Sequence, residues 1–261
     1  MTESLVTTID DRGVAYLTIT KPQTRNALDD LLIAGLLNEI RTLSHNPGVR
    51  ILVLGAEGKL FSSGADLAWM KSMAAYGESE NLQDAQALAA LMYALYSLPI
   101  PTIAKVNGDA YGGAVGLIAC CDIAVSDVEA TFSFSEVKLG LIPAVISPYI
   151  VEAIGLRRAR AVFLTGEKIS AFDAFRMGLL QECVSAKDLN ARVEKNIKQL
   201  LCGGPDAQKA AKKLLMSFSD IDESRRQDTA KCIARIRVSA EAQEGLSAFL
   251  EKRMPEWIAS D

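Results

Sequence analysis

The chain has 261 residues, 49% of them apolar, with 28 Lys and Arg against 32 Asp and Glu and a formal net charge of −4. That is enough for one large domain, or for one domain with a helical appendage; the acidic balance, with no basic stripe, argues against nucleic acid as a partner. No apolar run nears the roughly 20 residues of a membrane helix, and the N-terminal stretch has neither a basic nor an apolar signal region, so neither a membrane partner nor secretion is expected. Five widely spaced cysteines, an odd count, fit reduced thiols in a cytoplasmic protein. The adjacent Cys120 and Cys121 read as small buried hydrophobes.

In chain order, Val6 to Thr20 reads as a hairpin turning at Asp11-Arg12-Gly13. A loop over 21–28 leads to a helix capped by Asp29 or Asp30, with Leu32, Leu36, Ile40 and Leu43 as its apolar stripe and Asn46-Pro47-Gly48 as its stop. Arg50 to Gly55 is a nearly continuous apolar run, which predicts a parallel strand covered on both faces. Phe61 to Leu67 is a small-residue turn opening a helix with Trp69, Met70 and Met73. Tyr76 to Asp84 is polar and reads as a mobile loop; a helix follows from Asp84 to Ser97, closed by Pro99 and Pro101.

Thr102 to Val106 predicts a buried strand ending at the Asn107-Gly108 turn. Gly112 and Gly113 then open an apolar helix, and Glu136 follows two further strands, near a strand end. Ser147-Pro148 marks a helix start. Arg157, Arg158 and Arg160 ride a helix ending near Gly166, and Ser170 caps a helix over 171–177 that Gly178 closes. From Asp188 the chain is helical with Gly203-Gly204-Pro205 as its strong break, so a boundary near residue 187 divides a core, 1–187, from a helical subdomain, 188–261.

The single histidine, His45, sits beside a helix stop, so Ser-His or Cys-His nucleophile systems are not expected. Dinucleotide and P-loop fingerprints are absent, and no residues are spaced as metal ligands, so neither a cofactor nor a metal is expected. What remains is two glycine-rich strand-to-helix turns and one glutamate. Bare N–H groups at two such turns can form an oxyanion hole for charge growing on a thioester carbonyl. Singly, Gly64, Gly112 and Gly113 read as tight turns, and Glu136 alone reads equally as a solvated charge.

The motifs R-N-A-L (25–28), S-S-G-A-D-L (62–67), N-G-D-A-Y-G-G (107–113), C-D-I-A (121–124), S-E-V-K-L-G-L-I-P (135–143), L-T-G (164–166) and E-G-L-S-A-F-L-E-K-R (244–253) occur in this order. Together they resemble the enoyl-CoA hydratase/isomerase (crotonase) superfamily over nearly the whole chain. The resemblance implies an α/β fold, a spiral of β-β-α units with a C-terminal helical trimerisation part, assembled as a trimer or a dimer of trimers. It implies an acyl-CoA thioester substrate, coenzyme A being part of that substrate. It places the oxyanion donors on the backbone N–H groups of Ala65 and Gly113, and a catalytic carboxylate on Glu136. Arg25, Asn26 and Ala27, with Gly64, Asp66 and Leu67, match the backbone that grips CoA; Tyr111, Gly112 and Ala144 fall beside the acyl group; and Lys252 matches a position that can approach CoA in a neighbouring subunit.

Gly116 stands where the family's second hydratase glutamate falls, which leaves three readings. Either Glu136 makes both proton transfers of a hydration, or the chain is a double-bond isomerase with one base, or it binds a CoA thioester without catalysis. Tyr111 and Ser135 are candidates to orient water. The stretches A-D-L-A-W-M-K-S-M and S-E-V-K-L-G-L-I-P-A-V-I-S-P-Y resemble bacterial 3-methylglutaconyl- and isohexenylglutaconyl-CoA hydratases of leucine and terpene breakdown. Such acyl groups carry a distal carboxylate, for which Lys71 is the nearest candidate in sequence. Ala144-Val145-Ile146 replaces the family's usual glycines and reshapes the acyl pocket.

Overall fold

A computed structural model describes residues 4–258; the first three residues of the N-terminal stretch and the last three of the chain lie outside that description. The expected hairpin forms from β1 (Leu5–Ile9) and β2 (Val14–Ile19), antiparallel, with Asp10 Oδ1 accepting the N–H groups of Arg12 and Val14 at 3.0 and 2.9 Å. Asp29 caps α1 (Asp30–Ser44) by accepting the Leu32 N–H, and Leu32, Leu36, Ile40 and Leu43 are all buried. The apolar run becomes β3 (Ile51–Ala56), parallel to β2 and to β4 (Thr102–Val106), its first five residues buried.

With β6 (Ile123–Asp127) and β9 (Glu182–Val184), these strands build a six-stranded sheet in the order β1-β2-β3-β4-β6-β9. A smaller sheet holds β5 (Ala110–Tyr111), β7 (Thr131–Ser133) and β8 (Lys168–Ser170). After β4 and again after β6 the chain crosses from the large sheet into the small one, β5 lying parallel beside β7. This is the spiral of β-β-α turns that the resemblance implied. Each crossing carries a residue of interest: the Gly112-Gly113 turn follows β5, and Glu136 follows β7.

The helices are α2 (Leu67–Ala75), α3 (Glu78–Tyr96), α4 (Gly113–Ala119), α5 (Ser147–Ile154), α6 (Leu156–Thr165), α7 (Ala171–Met177), α8 (Leu189–Leu201), α9 (Pro205–Met216), α10 (Glu223–Arg237) and α11 (Ala240–Glu251). Leu189, Val193 and Ile197 of α8 pack on Val14, Ile51, Val53, Ile103 and Val125 of the large sheet. Helix α10 lies along α3, and α11 rests on α2 and on the single-turn helix Ser135–Leu139.

One expectation fails here. The polar stretch from Tyr76 to Asp84 is not a loop, since α3 begins at Glu78. Its polar residues are the cap: Glu80 Oε2 accepts the Gly77 N–H at 2.7 Å, and the fully buried Asn81 donates to the carbonyls of Met73, Tyr76 and Gly77. The helical tail is also broken at 217–222 and 238–239, besides the Gly-Gly-Pro break.

Candidate active site

Four segments far apart in sequence are tied together by their backbones. Ser63 N–H donates to Arg25 O (3.0 Å), Leu28 N–H to Gly64 O (2.8 Å), Tyr111 N–H to Ser62 O (3.1 Å) and Gly112 N–H to Ser133 O (3.0 Å). Gly64 has φ +85°, and a Cβ there would stand 2.9 Å from the Tyr111 carbonyl oxygen, so the two turns touch only because this residue is glycine. Ala65 and Gly113 follow on the two turns and line one cavity of about 840 Å³. Neither N–H donates to a protein acceptor among the described residues; that of Gly113 is one of the free amides every helix leaves at its start.

Glu136 occupies the turn just beyond β7. Its Oε1 lies 3.1 Å from the place a Cβ on Gly112 would take. Its Oε2 is buried with no hydrogen-bond partner, although the residue as a whole keeps some exposure. Burial pushes the carboxyl up to about 7, only partly opposed by a hydrogen bond from its own backbone. The turn is clamped from outside by close backbone packing, with Gly140 against the Glu241 carbonyl and Gly245 against the Leu139 carbonyl of the same segment. An unpaired carboxyl with a pKa near neutrality is suited to taking and returning a proton.

Two pH effects are expected. With Glu136 starting as the base, kcat/KM climbs as pH rises through about 7, which a rate profile of the free enzyme checks. Stability runs the other way. The folded pKa exceeds the ordinary 4.5, so the native chain holds an extra proton between about pH 4.5 and 7, and this group lowers stability as pH rises through that window. Urea unfolding at pH 5 and 7.5 should show that slope in the native chain and a smaller one in Glu136→Gln.

Of the other expected residues, Arg25, Ala27, Gly64, Asp66, Leu67, Tyr111, Gly112 and Ala144 line the cavity. Asp66 also caps α2 by accepting the N–H groups of Ala68 and Trp69. The Tyr111 hydroxyl is bonded to Asp109 Oδ2 at 3.0 Å, so it is engaged by protein rather than free to orient water.

Three residues lie elsewhere. Asn26 faces inward: its amide donates to the carbonyls of Glu57 and Leu60, and its Oδ1 accepts the Lys21 N–H, so it braces the loop rather than lining the cavity. Replacing Asn26 with Ala strands these three backbone groups and should lower stability by about 2 kcal/mol, read from the urea midpoint. Gly116 is buried behind the wall, where a Cβ would overlap the Ile146 side chain and stand 2.8 Å from the Ile146 Cβ. A glutamate has no room there. Lys252 is exposed and does not line this cavity. Outside the notable site residues, Lys71 and His45 are likewise exposed and away from the cavity.

Leu88, Ile233, Arg237 and Phe249 also line the cavity and were not anticipated. Phe249 fell within the 244–253 motif without being singled out, and Arg237 is a cation four residues, one helical turn, after Ile233.

Residues 10–260 match the family model described as enoyl-CoA hydratase/isomerase. The chain belongs to the enoyl-CoA hydratase/isomerase family. A crystal structure of an enoyl-CoA hydratase from Shewanella pealeana is 44% identical, with a TM-score of 0.81 over 97% of this chain and 96% of that one. An enoyl-CoA isomerase/hydratase of Mycosarcoma maydis is 30% identical over 93% of this chain and 92% of its own length. The mitochondrial enoyl-CoA hydratase domain-containing protein 3 of Xenopus laevis is 31% identical over 96% of this chain and 85% of its own. The fold is that of the crotonases, and the chemistry of the family is hydratase or isomerase chemistry on an enoyl-CoA thioester. No described helix is long and apolar enough to cross a membrane.

Proposed function

We propose that this chain adds water across the 2,3 double bond of a branched or glutaconyl-type enoyl-CoA such as 3-methylglutaconyl-CoA. The observation that carries the proposal is Glu136, an unpaired buried carboxyl with a pKa near 7 set against the Gly112-Gly113 turn. As the carboxylate it takes a proton from water while the water oxygen bonds to C3. The π electrons move onto the thioester oxygen, held by the Ala65 and Gly113 N–H groups. The protonated Glu136 then returns the proton to C2, and the carbonyl re-forms. A pKa near the working pH serves both halves. Arg25, Ala27 and the 64–67 turn grip the CoA moiety.

A second reading has its own observation. Ile146 fills the space beside Gly116, so a second carboxylate cannot stand there. An isomerase needs only one: Glu136 removes a proton from C2 of a 3-enoyl-CoA and returns it to C4 of the dienolate. Incubation with 3-methylglutaconyl-CoA decides between them. Loss of the conjugated-enoyl absorbance supports hydration; no loss, with conversion of a 3-enoyl-CoA to its 2-isomer, assigns the isomerase.

The exposed Leu214, Leu215 and Phe218 support homo-oligomerisation, as a trimer or a dimer of trimers, through residues 188–261. The five free cysteines support a cytoplasmic setting.

A further inference from the structure

Arg237 ends α10 and is only 8% exposed, yet it forms part of the wall of the acyl-CoA cavity. One guanidinium nitrogen donates to Asp84 Oδ2 at 2.8 Å. Asp84 is held in turn by Trp69 Nε1, which donates to its Oδ1 at 3.0 Å, and the guanidinium lies 6.0 Å from the centre of the Trp69 ring. Asp84 stands behind the wall and does not line the cavity. The side chain makes no other hydrogen bond among the described residues.

Met70, Met73, Leu88 and Ile233 line the same cavity. A guanidinium has five N–H donors, and leaving them unpaired among hydrocarbon is costly. A plain alkyl chain would give those donors nothing. Asp84 offsets the net charge and takes one donor; the others have no protein acceptor among the described residues.

The placement suits one kind of acyl group. Trp69 lies in the first turn of α2, which begins two residues after Ala65. Arg237, beside the Trp69 ring, thus lines the same cavity as the Ala65 and Gly113 turns. We propose that Arg237 is a specificity residue that receives a distal carboxylate on the acyl group through its unbonded donors, with Asp84 and Trp69 as positioning residues. The inference rests on the acyl-CoA reading above and assigns the distal-acid recognition to Arg237 in place of Lys71.

The test separates recognition from chemistry by using saturated thioesters that cannot be turned over. Glutaryl-CoA and pentanoyl-CoA have the same five-carbon length and differ in the terminal carboxylate. Calorimetry on the wild-type chain should show glutaryl-CoA bound about 10- to 100-fold more tightly, the range of a charge-assisted contact. In Arg237→Gln that preference should vanish while pentanoyl-CoA affinity stays within about twofold.

The single variant leaves Asp84 buried without its partner. The double variant Asp84→Asn/Arg237→Gln removes that liability, and the wild-type comparison needs no variant at all. Equal wild-type affinities, tighter pentanoyl-CoA, or a preference that survives in either variant overturns the assignment. A preference that holds and disappears as stated supports it even where no enoyl-CoA is hydrated or isomerised; that second outcome would sink the reaction assigned above and leave Arg237 standing.

Discussion

Replacing Glu136 with Gln should lower kcat by roughly 1,000-fold or more and leave the chain folded with its affinity for saturated acyl-CoA intact. The size follows from general acid-base catalysis, which contributes about 10²–10⁴-fold when a positioned group carries the proton. Here the same group carries it twice; Ile146 occupies the place of a second carboxylate at Gly116, and the Asp66 carboxylate is engaged in capping α2. The fold should survive because Oε2 has no protein partner to lose. The amide also removes the cost of ionising a buried group, so the stability change at pH 7 should be within about 1 kcal/mol. Steady-state kinetics with a parallel calorimetric titration check this: kcat falls and Kd does not. A chain that turns over normally without Glu136 would belong to a binder or to an enzyme with a different base.

Gly112→Ala should cost about 100-fold in kcat, by displacement rather than by removal of a group. Gly112 has φ 53° and ψ −123°, a conformation that side-chain-bearing residues rarely adopt, with a strain of about 1–3 kcal/mol. The new methyl would also stand 3.1 Å from Glu136 Oε1 and 3.7 Å from its carboxyl carbon. The carboxyl must shift, and the turn presenting the Gly113 N–H shifts with it. The contact alone asks the carboxyl for a few tenths of an ångström; added to the displacement of the strained turn, it approaches the misplacement of about 1 Å that costs a hundredfold. Gly155→Ala is the control. Gly155 also has a positive φ, 78°, but nothing lies within 4 Å of an added Cβ, so that variant should lose thermal stability and keep its kcat. Equal losses of activity in the two variants would mean that backbone strain, and not the contact with Glu136, explains the effect.

What could be read from the sequence was local. The β1–β2 hairpin, the stripe on α1, the apolar run of β3 and the cap and stop of α7 each depend on residues a few positions apart, and each formed as expected. The 76–84 stretch misled because a buried Asn81 and a capping Glu80 have the composition of a loop. Only their partners, the backbone groups around Met73 to Gly77, show that they close a helix start. Within the site, the glycine turns and Glu136 stood out, but the burial that shifts Glu136 is a property of the assembled fold, as is the packing of α11 against its turn at Leu139 and Gly140 from about 100 residues away. Gly116 could be noted as a missing carboxylate. That Ile146 fills its place is a three-dimensional fact about residues 30 positions apart. Asn26 sat in a motif that named its neighbourhood, while its inward orientation depended on carbonyls at 57 and 60.

The central claim is that two main-chain amides, Ala65 and Gly113, hold one thioester oxygen while a single carboxyl serves the carbons beside it. A crystal structure with a saturated acyl-CoA bound tests it most directly. The account predicts that oxygen within about 3 Å of both amide nitrogens, with the Glu136 carboxyl facing C2 and C3. A thioester oxygen bonded to only one of the two amides, or to neither, or a Glu136 carboxyl turned away from the acyl chain, would contradict it.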